Sequence, residues 1–367
     1  MTSSADLTTA AVGPAESTAL DGDLPCPIPL DRYPRVLMAH GGGGRLTQQL
    51  IQEMLVPRFS NPHLAELHDG AVLAVEGNRL AMSTDSFVVS PLFFPGGDIG
   101  ELAVNGTVND LAMCGARPRY LSLGFILEEG LPMETLWQVV RSVERAAQRA
   151  RVSVVTGDTK VIERSRQDGL YLNTTGIGFV PDGVEIAPRR AQPGDTVLIS
   201  GAIAVHGTAV MSVREGLEFE TTLASDTAPL ADLVGALLSA VGSRVHVLRD
   251  PTRGGVAAAL NEIAGSVGLG IELDEAAVPV WPDVLGACEI LGLDPLYVAN
   301  EGKFLALVAA DAADAAVSLM REDPLGREAA VIGHVVDEHP GRVVLHSRVG
   351  GRRMLDLLSG EQLPRIC

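Results

Sequence analysis

The run Ala187-Pro188-Arg189-Arg190-Ala191-Gln192-Pro193-Gly194-Asp195 constrains this chain more than any other feature. Two prolines and a glycine interrupt both helical and strand patterns, and regular alternation resumes on either side. A chain of 367 residues is also long for a single core. We therefore expect two mixed α+β halves, spanning 35–187 and 188–345 and meeting at this break. An extension (1–34) precedes them and a flexible tail (346–367) follows.

Within the first half, β-rich runs at 71–75, 80–82, 87–89, 120–127, 152–155 and 171–179 alternate with helical patterns at 99–113 and 133–150. The second half repeats the mixture. Its strands are expected at 196–200, 270–273, 304–308 and 330–336, and its helices near 229–240, 256–265 and 311–322. Residues 1–30 are polar and acidic and lack a basic segment followed by an apolar run, so they do not read as a signal peptide.

Charge and cysteine usage narrow the function. A net charge of -18 without any Lys/Arg run argues against nucleic acid and anionic membranes as partners. Cys26, Cys114, Cys288 and Cys367 are scattered, without the spacing of a zinc site or a disulfide framework, which fits a reducing cytoplasm. No stretch stays apolar for the ~20 residues a membrane span requires.

Several segments carry candidate chemistry. Asp69 precedes a strand, Asp85 is read as lying between two strands, and Asp250 opens Asp250-Pro251-Thr252-Arg253-Gly254-Gly255. Asp110 lies on a helix with Asn105 and Asn109 and shares a face with Ala103, Gly106 and Met113, so it would be partly desolvated unless something cationic pairs with it. Each aspartate alone also reads as a cap or a solvated side chain. Converging, they would offer the carboxylate oxygens that Mg²⁺ needs. Gly254-Gly255 opens an Ala-rich helical run beside Arg253, which is either a phosphate cradle or a plain helix start. His40-Gly41-Gly42-Gly43-Gly44-Arg45 is either a loop that approaches a ligand closely or a connector. Thr156-Gly157-Asp158-Thr159-Lys160 and Asn300-Glu301-Gly302-Lys303 are read as loops that place Lys160 and Glu301 where they could handle protons, or as solvated surface. The chain stops on Cys367, a thiol on a mobile arm, which is what a covalent carrier needs.

Together these segments resemble the aminoimidazole-ribonucleotide synthetase-like superfamily of ATP-dependent enzymes. Within it they resemble the hydrogenase-maturation family HypE, whose distinguishing feature is the ending Pro364-Arg365-Ile366-Cys367. The resemblance covers about 36–367 and implies a two-domain fold with a mobile C-terminal tail. It implies that Asp69, Asp85, Asp110 and Asp250 bind Mg²⁺. With them, Asn105, Gly157, Asp158, Arg253, Gly254 and Gly255 would bind ATP. It further implies that Cys367 receives a carbamoyl group from the carbamoyltransferase HypF, and that the group is dehydrated with ATP to a thiocyanate. One or both of Glu301 and Lys160 would take the amide protons, with Glu301 the preferred acceptor, and cyanide then passes to iron on HypC and HypD. A homodimer formed by pairing the first-domain sheets is implied as well.

Rival readings remain. Selenophosphate synthetase would carry a reactive cysteine or selenocysteine in its glycine-rich loop, which His40 to Arg45 lacks. Thiamine-phosphate kinase and the aminoimidazole synthetase would use similar aspartates without needing Cys367. A non-catalytic scaffold would bind ATP and dock HypC and HypD without chemistry at the thiol.

Overall fold

The computed structural model describes residues 37–367 apart from 41, 58, 60, 62, 76, 165–168, 217–222, 359–362 and 364. The extension 1–34, Cys26, Gly41 and Pro364 therefore lie outside the described residues.

A short helix α1 (Arg45–Gln49) leads into the hairpin β1 (Ala71–Val75) and β2 (Asn78–Phe87), followed by the two-residue strands β3 (Phe93–Phe94) and β4 (Gly97–Asp98). Then come α2 (Ile99–Met113), β5 (Arg117–Glu128), α3 (Met133–Ala150), β6 (Ser153–Ile162) and β7 (Leu170–Phe179). The first sheet has the order β1-β2-β7-β5-β6, antiparallel except for the parallel pair of β5 with β6.

Helix α2 lies against this sheet, and all but Glu101 and Asp110 of its residues are buried. It starts where Asp98 Oδ1 accepts the N–H groups of Gly100 and Glu101 at 2.8 and 3.1 Å, filling two of the donors that a helix start leaves open. Helix α3 is amphipathic, with Val139, Ser142, Val143, Ala146 and Ala147 buried at three- and four-residue spacing.

The second half contains β8 (Thr196–Ile199), α4 (Val205–Arg214), α5 (Ala231–Val241), β9 (Val245–Arg249), α6 (Gly255–Val267), β10 (Gly270–Asp274) and α7 (Pro282–Leu291). It continues through β11 (Leu305–Val308), α8 (Ala313–Glu322), β12 (Ala330–Val336), β13 (Val343–His346) and β14 (Arg352–Leu355). Its sheet has the order β14-β13-β10-β12-β8-β11-β9. Strands β8 and β11 are buried along their whole length because helices cover both faces. Leu198, Ala306 and Val308 pack with Leu233, Leu237, Val317 and Met320 of α5 and α8. The alternate residues Val197, Ile199, Leu305 and Leu307 join a cluster containing Val256, Leu260 and Ile263 of α6. That cluster continues through Val89 and Val205 to Phe87, Val104 and Val108, so one core runs beneath both halves.

Four expectations shift. Residues 80–82 and 87–89 were expected as separate strands with Asp85 between them, but β2 runs unbroken through Asp85. Ala81, Ser83 and Phe87 are buried at period two, so the polar residues alternate across the ladder rather than break it. Gly157, Asp158 and Lys160 are on β6 rather than a loop, because the parallel pairing with β5 carries the strand through Thr156-Gly157 to Ile162. Arg352–Leu355, read as tail, pairs with β13. Strands β9 and β13 and helices α4 and α7 are additional elements.

Candidate active site

Three carboxylates converge from separate elements. Asp69 precedes β1, Asp110 sits in the last turn of α2 and Asp250 follows β9, and one oxygen from each lies within 4.8 Å of the others. Burial, and next the mutual repulsion with Asp69, raises the Asp250 carboxyl to about 8. Burial followed by Asp250, Asp69 and Asp85 likewise holds Asp110 well above the usual carboxylate range. Ser83 Oγ lies 2.6 Å from Asp110 Oδ2 and 2.9 Å from the Asp69 carbonyl. A hydroxyl has one proton to donate, so both contacts are filled together only when Asp110 is protonated. Arg249 Nε donates to Asp69 Oδ1 at 2.9 Å. Asp69 Oδ2 is buried without a hydrogen-bond partner among the described residues.

An orphaned carboxylate oxygen beside two carboxyls that resist ionisation is a donor set suited to a divalent cation. Asp85 stands next to this trio rather than within it. Its carboxyl is raised by burial and lowered by Arg253, whose Nη2 is 3.7 Å away.

The loop after Asp250 carries Arg253 and the glycines. Gly255 has φ +62, and a Cβ there would lie 2.7 Å from the carbonyls of Leu296 and Val298, so only glycine fits. Its N–H closes a turn onto the Thr252 carbonyl at 3.0 Å, so that donor is not offered to a phosphate. The N-terminal glycine run packs on the same loop, since a Cβ at Gly43 would lie 2.9 Å from the Arg253 carbonyl. Beside Asp69 opens a cavity of about 1070 Å³, lined by Gln48, Gln52, His68, Asn261 and Glu262 among others.

The chain end lies in the same place. Ile366 forms an antiparallel bridge with Val89, and the Val88 and Ser90 N–H groups donate to a terminal carboxylate oxygen of Cys367 and to the Arg365 carbonyl at 3.1 and 3.2 Å. This brings the Cys367 thiol near Glu301, Arg253 and Asp85, whose charges act on it. Burial first and then Glu301 push the thiol well above its ordinary value. Glu301 is itself raised by burial and then by Asp250, Asp85 and Asp226, against the pull of Arg253. Its Oε1 is buried without a hydrogen-bond partner among the described residues. The Glu301 loop is held by its own backbone, with Glu301 N–H on Asp226 Oδ1 at 3.1 Å and its carbonyl accepting from Asn109 Nδ2 at 3.3 Å.

Of the residues singled out in the sequence, Asp69, Asp85, Asp110, Asp250, Arg253, Glu301 and Cys367 are brought together. Asn105 is not: it is fully buried, and its Nδ2 donates to Thr227 Oγ1 at 3.2 Å. Lys160 and Asp158 face solvent on β6 as an ion pair of 3.4 Å, and Gly157 is exposed beside them. Five residues, about one and a half turns, separate Asn105 from Asp110 and turn the two to different faces of a helix buried almost all round, so the Asn105 amide enters the interdomain packing instead. The sequence reading missed Arg249, whose signal was its place just before Asp250. It also missed Asp226 and His206, which carry none beyond a polar residue in an apolar context.

Comparison with known proteins places this geometry. Residues 67–180 match the AIR synthase related protein, N-terminal domain, and residues 192–346 the AIR synthase related protein, C-terminal domain. A carbamoyl dehydratase HypE from Cupriavidus necator is 54% identical over 91% of this chain and 95% of its own length. A crystal structure of HypE in complex with ATP superposes with a TM-score of 0.76 at 50% identity, covering 91% of this chain and 100% of that one. HypE in a crystallised HypE–HypF complex gives 0.80 at 46% identity, over 84% of this chain and 99% of that one.

Proposed function

Because the chain belongs to the HypE family of carbamoyl dehydratases, we propose that it dehydrates a carbamoyl group carried as a thiocarboxamide on Cys367. The product is a thiocyanate on the same sulfur, which supplies cyanide to the iron of a [NiFe]-hydrogenase. The observation that carries this reading is the docking of the chain end on Val88 and Ser90, which brings the Cys367 thiol near Glu301, Arg253 and Asp85, with Asp250 acting on Glu301 in turn. The carbamoyl carbon loses its oxygen and its nitrogen loses two protons, which is the net removal of water.

Asp69, Asp110 and Asp250 would hold Mg²⁺, and the unpartnered Asp69 Oδ2 is the oxygen that fits it. The cavity beside Asp69 would take the nucleoside end of ATP. Mg·ATP, when bound, supplies the phosphoryl group that turns the carbamoyl oxygen into a leaving group.

The chain's own residues do the rest. The docked tail holds the sulfur, so the reacting group is presented at high effective concentration without a diffusing substrate. Glu301 is the carboxyl whose charge acts most on Cys367, and it accepts the amide protons of the group carried there. Burial and then Asp250 and Asp85 raise its carboxyl, so neutralising that cluster favours its base form in the loaded site. Arg253 offsets the negative charge between Cys367 and Asp85.

The tail has to leave this seat to be loaded by HypF and unloaded to HypC and HypD. We further propose a homodimer. Strand β6 is exposed along its length and shows Val155 and Val161 to solvent, while Ile126 and Tyr120 of β5 are also exposed. Such an uncovered apolar sheet face and edge fits pairing with a second copy, and it puts Asp158 and Lys160 on the pairing face. A mass measurement of the species on Cys367 before and after addition of Mg·ATP tests the reaction. Water must be lost only with nucleotide present.

A further inference from the structure

The tail is received by its backbone. The carbonyl of Ile366 lies 2.8 Å from Nε2 of His206, which is fully buried in the first turn of α4. A carbonyl only accepts, so Nε2 carries the hydrogen. Nδ1 then accepts from Ser225 Oγ at 2.8 Å, and Ser225 Oγ in turn accepts the N–H of Thr227 at 3.1 Å. This network fixes one tautomer. The ring stands edge-on to Phe94 at 5.4 Å between centroids, and burial lowers its affinity for a proton, which keeps it neutral.

Arg214, the last residue of α4, donates through Nη2 to the Arg365 carbonyl at 2.6 Å and through Nε to the Ser90 carbonyl at 2.9 Å. Val88 N–H donates to a terminal carboxylate oxygen of Cys367. Backbone oxygens of the last three residues are thus each met by a protein donor. Ile366 and Leu363 are buried, and Gly207, next to His206, leaves room for Leu363, whose Cδ1 would be 3.2 Å from a Cβ there.

The receptor is fixed to the proton-accepting loop. Asn300, the neighbour of Glu301, accepts the N–H of Ala204 at the start of α4 at 2.7 Å and donates to the Pro251 carbonyl at 3.0 Å. The start of α4, the Asp250 loop and Glu301 therefore share one buried amide.

We propose that His206 and Arg214 are positioning residues that latch the chain end by its Ile366 and Arg365 carbonyls and so set the Cys367 sulfur against Glu301. The proposal deepens the reading of Cys367 as a tethered substrate and rests on it for its catalytic meaning. Without the His206 donor the Ile366 carbonyl is left buried and unpaired, which shifts the tail toward its released position by about tenfold or more. His206→Gln keeps an N–H at similar reach and restores docking to within about threefold.

The test is the alkylation rate of Cys367 by iodoacetamide in full-length protein carrying Cys26→Ser, mapped by mass spectrometry. The buried Cys114 and Cys288 report general opening in the same molecules, so the readout is the Cys367 rate divided by theirs. We expect this ratio to rise about tenfold or more in His206→Ala and in Arg214→Ala, and to return toward wild type in His206→Gln. An unchanged ratio in the alanine variants, or a His206→Gln ratio as high as that of His206→Ala, overturns the latch. A parallel assay of adduct dehydration separates the two readings. If the ratio rises but wild type never dehydrates its adduct, the catalytic reading falls and the latch stands. If wild type dehydrates and the ratio does not move, the latch falls alone.

Discussion

Replacing Asp250 by Asn removes one negative charge from a buried trio and should change how stability depends on pH. In the metal-free protein the Asp250 carboxyl lies at about 8, against 3.8 for a free aspartate. The folded state therefore binds a proton that the unfolded chain releases, and stability falls as pH rises between these values. One such proton is worth about 1.4 kcal/mol per pH unit. The three carboxyls share their charge and titrate as one cluster, so we set the excess at about one proton, or roughly 3 kcal/mol between pH 5 and pH 7. Asp250→Asn should flatten this slope. It also relieves Asp110, for which Asp250 is the largest source of repulsion. The assay is urea unfolding followed by circular dichroism at several pH values, in chelator and in Mg²⁺. Wild type should lose stability with rising pH in chelator and regain it with Mg²⁺, through mass action on the folded state. The variant should do neither to the same degree. Unfolding curves whose pH dependence runs parallel for the two proteins would refute the reasoning, whatever the constant offset between them.

Glu301→Gln removes the proton acceptor while keeping its shape, so carbamoylation of Cys367 should persist and dehydration should slow by about 10²- to 10⁴-fold, read from the mass of the tail peptide over time. Asp110→Asn should give the same division between loading and dehydration, and a normal dehydration rate would remove Asp110 from the metal site. Asp98→Ala strips the start of α2 of the acceptor for two N–H groups and should lower stability by about 1 kcal/mol, measured by urea unfolding. Gly302→Ala should disturb the Glu301 loop, because a Cβ there would fall 1.8 Å from the Asp226 carbonyl. Its dehydration should fail while the protein still unfolds cooperatively.

What could be read from the sequence divides along physical lines. Helices α2 and α3 were legible because each keeps its pattern over four turns or more, and both run over the residues expected of them. Asp69, Asp110 and Asp250 were legible as carboxylates placed at the ends of elements, where a fold can bring them together. Asp85 was misplaced because Ser83-Thr84-Asp85-Ser86 looks like a turn locally, while its strand is held by a ladder to Asn173 and Thr174 some ninety residues away. The same holds for Gly157 and Lys160, whose strand exists because β5 pairs with it in parallel. Non-local pairing of this kind leaves little trace in local composition. His206 and Asp226 were hidden for a related reason. His206 depends on the tail returning to α4 across some 160 residues and Asp226 on the Glu301 loop 75 residues away, and neither residue shows in its own neighbourhood which partner will meet it.

The central claim is that Cys367 is a substrate tethered to its own active site, and the intact mass of the protein tests it most directly. The protein and its Asp110→Asn variant are incubated with HypF, carbamoyl phosphate and Mg·ATP, intact masses are followed over time, and the modified peptide is mapped. Wild type should pass through a carbamoyl adduct on Cys367 to a species one water lighter at that residue, while the variant should stop at the carbamoyl adduct. An adduct on another residue, or one on Cys367 that never loses water with Mg·ATP, would contradict it.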